Sequence, residues 1–163
     1  MADSASMSLQ ATVLNSVFRK TLRNLNFSVV PSSTQGWVIK IVNVTNSSAD
    51  LLGTDSVVQS AGKASATALA TSATSDKVKF LFIKNTGTTD GSTGTNESVY
   101  IVFDGGASAH NATDALEVPA GMSFYCKPGC TIANLHVISG DADGESAGEG
   151  NVQCIVAAIV EEG

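Results

Sequence analysis

Apolar positions along the chain fall into two regimes that meet at Pro31. Before it, in LQATVLNSVFRKTLRNLNF, residues Val13, Leu14, Val17, Phe18, Leu22 and Leu25 recur at helical spacing while Arg19, Lys20 and Arg23 gather on the other side. That pattern predicts an amphipathic helix or helical arm, packed either on its own domain or on a neighbouring subunit. Beyond Pro31 the apolar runs become short. GWVIKIVNVT (36–45) sets Trp37, Ile39 and Ile41 against Val38, Lys40 and Val42, the alternation of a strand. KVKFLFIKN (77–85), SVYIVFDGG (98–106), MSFYC, TIANLHVIS and NVQCIVAAIV repeat the texture, with β-branched and aromatic residues throughout. Turn formers separate them: Asn85-Thr-Gly87, Asp90-Gly91, Asp104-Gly-Gly106, Pro119-Ala-Gly121, Pro128-Gly129 and Gly140-Asp-Ala-Asp-Gly144.

Many short strands at close spacing predict an all-β protein, an antiparallel β-sandwich or jelly roll carrying an N-terminal amphipathic helical arm. The expected division is an arm over residues 1–30 and a β-sandwich domain over 31–163. The Ala/Ser/Thr-rich stretch VVQSAGKASATALATSATSD (57–76) fits a small-residue strand pair, a long loop or, less well, a helix.

A chain of 163 residues and 16.6 kDa can close one hydrophobic core without metals or disulfides. Its net charge of −6 argues against a surface built to track nucleic acid, and nucleic-acid binding is not expected. The charge is uneven. Residues 1–30 hold three basic residues against Asp3, a balance of +2, while the rest holds six basic against fourteen acidic, a balance of −8. No apolar run reaches membrane-spanning length and no secretory signal is evident, so a soluble, intracellularly made protein with reduced thiols is expected.

Candidate chemistry is sparse. Cys126 and Cys130 flank Lys127-Pro-Gly129, where Pro and Gly suit the central positions of a type II turn between two strands. In that register Lys127 faces Cys130; a three-residue loop would instead oppose the two thiols at a separation a disulfide tolerates. Cys126, Cys130, His136 and Cys154 have no zinc-binding spacing, and Cys154 reads as a buried small hydrophobe. His110 and His136 are too far apart for the closely spaced pair of a cupin-type metal centre. No G-x-S-x-G elbow, P-loop or dinucleotide fingerprint occurs. The acidic glycine loop GDADGESAGEG (140–150) lacks the spacing of an EF-hand, and a solvated turn is expected there. No enzymatic activity, cofactor or metal is expected.

The succession VKFLFIKNTGTTD, SVYIVFDGG, LEVPAGMSFYCKPGCTIANLHVIS and NVQCIVAAIV, about half the chain, resembles small β-sandwich virion proteins of tailed bacteriophages. The resemblance rests on strand texture and turn placement, and the cysteines and the basic N-terminal segment depart from it. It implies a structural component of a virion assembled in the host cytoplasm: a capsid decoration or cement protein, or a neck or tail component, often trimeric, with the major capsid protein or another virion protein as partner. Within that reading the partner-binding residues are Val13, Val17, Phe18, Arg19, Lys20 and Arg23, offered to an acidic partner patch. A chain only 15% charged and rich in small polar residues suits close subunit packing, and its sheet edges need a neighbour or arm to cover them. The rival reading is a neck, tail or fibre-associated carbohydrate-binding module. It needs exposed aromatic platforms, whereas Trp37, Tyr100 and Tyr125 all lie inside strand-like runs and are expected in the core.

Overall fold

The computed structural model describes residues 5–12, 21–29, 35–53, 58–60, 68–69, 74–105, 115–140 and 150–161; for 5–12, 21–29, 58–60 and 68–69 the description covers the backbone only. Twelve strands are present among them, in chain order β1 (Ala5–Thr12), β2 (Thr21–Val29), β3 (Gln35–Val44), β4 (Ala49–Asp50), β5 (Val58–Ser60), β6 (Ala68–Leu69), β7 (Lys77–Asn85), β8 (Ser98–Val102), β9 (Leu116–Val118), β10 (Ser123–Cys126), β11 (His136–Gly140) and β12 (Val152–Glu161). A single 3-10 turn, Ile132–Asn134, precedes β11. Every strand pairing is antiparallel, so the all-β expectation holds.

The strands form three sheets. Six stand in the order β10-β7-β12-β3-β5-β6, four in the order β4-β11-β8-β9, and β1 pairs only with β2. Long β12 is the spine of the larger sheet: it pairs with β3 over its whole length and with β7 on its other side. The small-residue stretch 57–76 supplies the short pair β5 and β6, the strand-pair alternative, with its remaining residues outside those described except at 74–76.

Inward positions of both larger sheets meet in one apolar cluster. Val38 and Val44 of β3, Leu81 and Ile83 of β7, and Val156 and Ala158 of β12 join Val99 and Ile101 of β8, Val118 of β9 and Val137 of β11. Leu51, Leu52, Ile132 and Leu135, from the connections beside β4 and β11, complete it and are fully buried. Polar ties cross from one sheet to the other. Asn85 of β7 is buried and its Nδ2 donates to Glu97 O at 2.8 Å and to Val118 O at 3.1 Å, while its Oδ1 accepts from Gly87 N at 2.9 Å. Buried Ser139 of β11 makes a second tie, its Oγ donating to Val44 O of β3 at 3.1 Å and contacting Gly150 O.

Two sequence-based expectations about the backbone need correction, and a third, the placement of three aromatic residues, is taken up with the surface below. The helical arm predicted over residues 13–25 does not extend through its second half, because Thr21–Val29 is a strand paired to β1 from Ala5↔Val29 to Thr12↔Thr21. Only Leu25 of that arc belongs to the two-residue alternation the strand follows, in which Leu25, Phe27 and Val29 alternate with Asn26 and Ser28. Arg23 therefore lies in a strand, and Val13, Val17, Phe18, Arg19 and Lys20 lie outside the described residues.

The second correction concerns Pro128-Gly129, which is not a hairpin turn. The chain runs on along β7: Cys126 stands opposite Leu81, Thr131 opposite Lys77, Gly129 N donates to Val78 O and Val78 N donates to Cys130 O. The five steps from Cys126 to Thr131 match four steps of β7, so the segment is a one-residue bulge, with Gly129 supplying the required φ of 68°.

Candidate interaction surface

The outward faces of the two larger sheets differ in chemistry. On the four-stranded sheet the outward face is mixed: His136 Nε2 lies 3.2 Å from Asp50 Oδ1 and 2.9 Å from Ala133 O, and Ser98 Oγ donates to Glu117 Oε1 at 2.7 Å, while the same parity carries half-buried Tyr100 and buried Val102 and Ile138. No apolar side chain of that face stands open to solvent among the described residues.

On the six-stranded sheet the outward face is apolar. Register stacks it in three rows across β7, β12 and β3: Phe80, Ile159 and Trp37; then Phe82, Ala157 and Ile39; then Lys84, Ile155 and Ile41. Tyr125 of β10 extends the middle row beside Phe82, and Ser123 extends the third beside Lys84. None of these nine row positions belongs to the main core cluster. They form a second apolar layer on the far side of the sheet.

Burial falls off along this layer. Phe80 and Ile159 are buried, and Trp37 meets Phe80 edge-on at 6.2 Å between ring centroids and 80° between planes. Phe82 and Ala157 are half-buried, whereas Ile39 is 73% exposed, Ile41 65% and Ile155 40%. Scattered surface leucines and isoleucines need no explanation, but three neighbouring isoleucines continuous with an aromatic cluster make a patch. Fully burying either β3 isoleucine is worth about 1.5–3 kcal/mol. The rim is polar, with Lys84 ending the third row, Asn43 opposite Gln153 beyond it, and Glu161 at the other end holding Lys79 at 2.6 Å and Gln35 at 3.0 Å. The hydrogen bonds from Lys79 and Gln35 keep the Glu161 carboxyl below its ordinary value.

The aromatic residues expected in the core stand differently. Trp37, Tyr100 and Tyr125 are half-buried and occupy outward positions, Trp37 and Tyr125 on the apolar face and Tyr100 on the opposite sheet. Nothing in the sequence distinguished the two parities of β3, because both are largely apolar.

Burial holds the thiols toward their protonated form. All three cysteines are free. Cys126 and Cys130 pack half-buried against the core; burial and the neighbouring Cys130 push Cys126 up to about 11, burial raises Cys130, and burial pushes Cys154 up to about 12. A thiol near 11 rather than 9 carries about a hundredth of the thiolate at pH 8, so alkylation of Cys126 by iodoacetamide should run about a hundredfold slower than that of an unperturbed thiol, as timed mass spectrometry would show.

The loop after β7 is self-contained. Asp90 Oδ1 accepts from Thr93 N at 2.7 Å and Ser92 N at 2.9 Å, with both side-chain hydroxyls at 3.0 Å on the carboxylate, and these bonds hold its carboxyl down at about 2. It is a closed turn with its acceptors already used. Among the described residues, no group of three or more His, Cys, Asp or Glu side chains converges.

No family model matches this chain, and no curated protein or solved structure is significantly similar to it.

Proposed function

We propose that this protein is a non-enzymatic structural component of a tailed-phage virion, a capsid decoration or cement protein that binds and stabilises the major capsid lattice through β-sandwich surfaces and its N-terminal arm. One observation carries the reading: the outward face of the six-stranded sheet is apolar and opens to solvent at Ile39, Ile41 and Ile155, whereas the outward Val102 and Ile138 of the four-stranded sheet are buried. A face of that kind suits permanent contact with another subunit better than life in water. Two antiparallel sheets that contribute to one apolar core support the sandwich reading. Arg19 and Lys20, in the connection between β1 and β2, and Arg23 in β2 offer positive charge to an acidic lattice patch, with Val13, Val17 and Phe18 adding apolar area. A closed oligomer such as a trimer would place several such arms on one lattice point.

Binding to undecorated shells tests this. A chain beginning at residue 31 should keep the spectrum of a β protein yet occupy shells at about a tenth or less of the full-length level, the loss expected when two linked contacts fall to one. Wild-type occupancy by the shortened chain would remove the arm from the docking role.

A second reading draws on Trp37 and Tyr125, which stand on an outward face instead of in the core. A neck, tail or fibre-associated carbohydrate-binding module would use them as stacking platforms. A glycan array separates the two: the cement reading expects no specific binding.

A further inference from the structure

The N-terminal ribbon has a face that matches the open one. In the β1–β2 register, Ala5 stands opposite Val29, Met7 opposite Phe27, Leu9 opposite Leu25 and, past a bulge, Ala11 opposite Leu22; the intervening pairs are Ser6 with Ser28, Ser8 with Asn26 and Thr12 with Thr21. One face of the ribbon thus holds only apolar residue types, and the other only Ser, Thr and Asn at its paired positions. A two-stranded ribbon is at best marginally stable alone, and an apolar face on one demands a surface to lie on. Among the described residues neither strand pairs with the other sheets.

We infer that the outward face of the six-stranded sheet is an interface with a second copy of this chain, covered there by that copy's β1–β2 ribbon. The inference rests on the reading of the protein as an assembly component and identifies one partner of that surface. Each element lacks what the other offers. Ile39 and Ile41 stay open to solvent, so no described element of the chain covers them. The five residues 30–34 between β2 and β3 can span up to about 17 Å, enough to carry the ribbon clear of its own sheet. The dimensions agree as well: an eight-residue strand is about 26 Å long and a two-stranded ribbon about 10 Å wide, which fits on the ten-residue strands β3 and β12. In a reciprocal exchange two ribbons and two receiving faces together bury on the order of 1,000 Å², the lower bound for a specific interface. Polar ribbon positions would then face outward, renewing a solvated surface over the patch.

The test uses the full-length chain in two forms. One carries Ile39→Asp with Ile41→Asp, both at exposed positions and therefore compatible with the fold; the other carries Leu25→Asp with Phe27→Asp. Sedimentation at micromolar concentration should give a multiple of 16.6 kDa for the unmodified chain and the single-chain mass for each variant alone, with association returning, at higher concentration, when the two are mixed. Ile41→Thr serves as a milder face variant, with weakened association and an unchanged denaturation midpoint expected. A bismaleimide applied to differently tagged chains bearing Phe27→Cys or Ile41→Cys should join one tag to the other, with the unsubstituted chain and its three free native thiols as the background control. An unmodified chain that sediments as a monomer, a mixture that stays monomeric, or a cross-link confined within a single chain carrying both cysteines would each overturn the inference. Failure here is separable from failure of the assembly reading: a monomeric chain that still binds shells removes only the ribbon contact, and a self-associating chain that never binds shells removes only the virion role.

Discussion

Asn85→Leu should lower the unfolding free energy by about 3–5 kcal/mol and the Tm by on the order of 10 °C, a larger loss than any surface substitution in this chain. The asparagine is buried at the end of β7, and its amide serves both sheets: Nδ2 donates to Glu97 O and to Val118 O of β9, and Oδ1 accepts from Gly87 N. Leucine has similar volume and none of these groups, so two carbonyls and one amide N–H lose their partner together. The Gly87 turn cannot rearrange freely to compensate, since its φ is 69° and a Cβ there would sit 3.3 Å from Gly121 N. Asn85→Asp sharpens the test. It keeps the acceptor, loses both donors and buries a charge; its folded-state pKa is then raised, so its deficit should be greatest at neutral pH and shrink as pH falls toward about 4. Guanidinium titration of both variants at the two pH values measures this. Equal deficits for Asp at both pH values would show that the site is wetter than its burial implies.

Leu135→Ala should cost about 2–5 kcal/mol, while Leu135→Met costs less than about 1.5. Leu135 closes the 3-10 turn, its N–H donating to Ile132 O and its carbonyl accepting from Leu51 N at 2.9 Å, and its side chain is fully buried beside Leu51, Leu52 and Ile132. Neither substitution disturbs these backbone bonds, so the contrast between Ala and Met isolates packing. Lys40 Nζ donates to Leu52 O from β3, which limits how far this plug can collapse into a cavity. A similar loss for Met and Ala, read from the same guanidinium midpoints, would mean that the position constrains the turn's backbone and not the filling of the core.

Strand positions after Pro31 were legible because alternation and turn formers mark them independently: β7 runs over the residues KVKFLFIKN, and β3 and β12 begin and end within a residue or so of their apolar runs. The outward apolar layer was also present in the letters. VQCIVAAIV and KFLFI are apolar at both parities, the mark of a strand covered on two sides, whereas SVYIV and HVISG mix Ser98, Tyr100 and His136 with Val102 and Ile138 at their outward positions. The sequence did not reveal which parity faced the core, because Trp37, Ile39 and Ile41 are as apolar as Val38 and Val42. The N-terminal stretch misled for a related reason: six apolar residues on a broad arc satisfy a 3.6 period loosely, and the Ser and Asn between Met7 and Leu9 or Leu25 and Phe27 carried the two-residue period that the strands follow. Asn85 looked like an ordinary turn former. Its Gly87 contact is such a turn, but the bonds to Glu97 and Val118 depend on a partner sheet that no local pattern encodes. Pro128-Gly129 reads as a hairpin turn in isolation, and only its register against β7 makes it a bulge.

The composition of intact particles tests the assembly role most directly. In particles purified from the native source on a density gradient, quantitative mass spectrometry should find this chain in a fixed ratio to the main shell protein from one preparation to the next, with a chain bearing Ile39→Asp and Ile41→Asp reduced to a tenth or less of that ratio, about 1.4 kcal/mol of lost association at minimum. A chain confined to the particle-free fractions, or a ratio that varies freely from one preparation to the next, would contradict it; a ratio that the two substitutions leave unchanged would remove only this face from the contact.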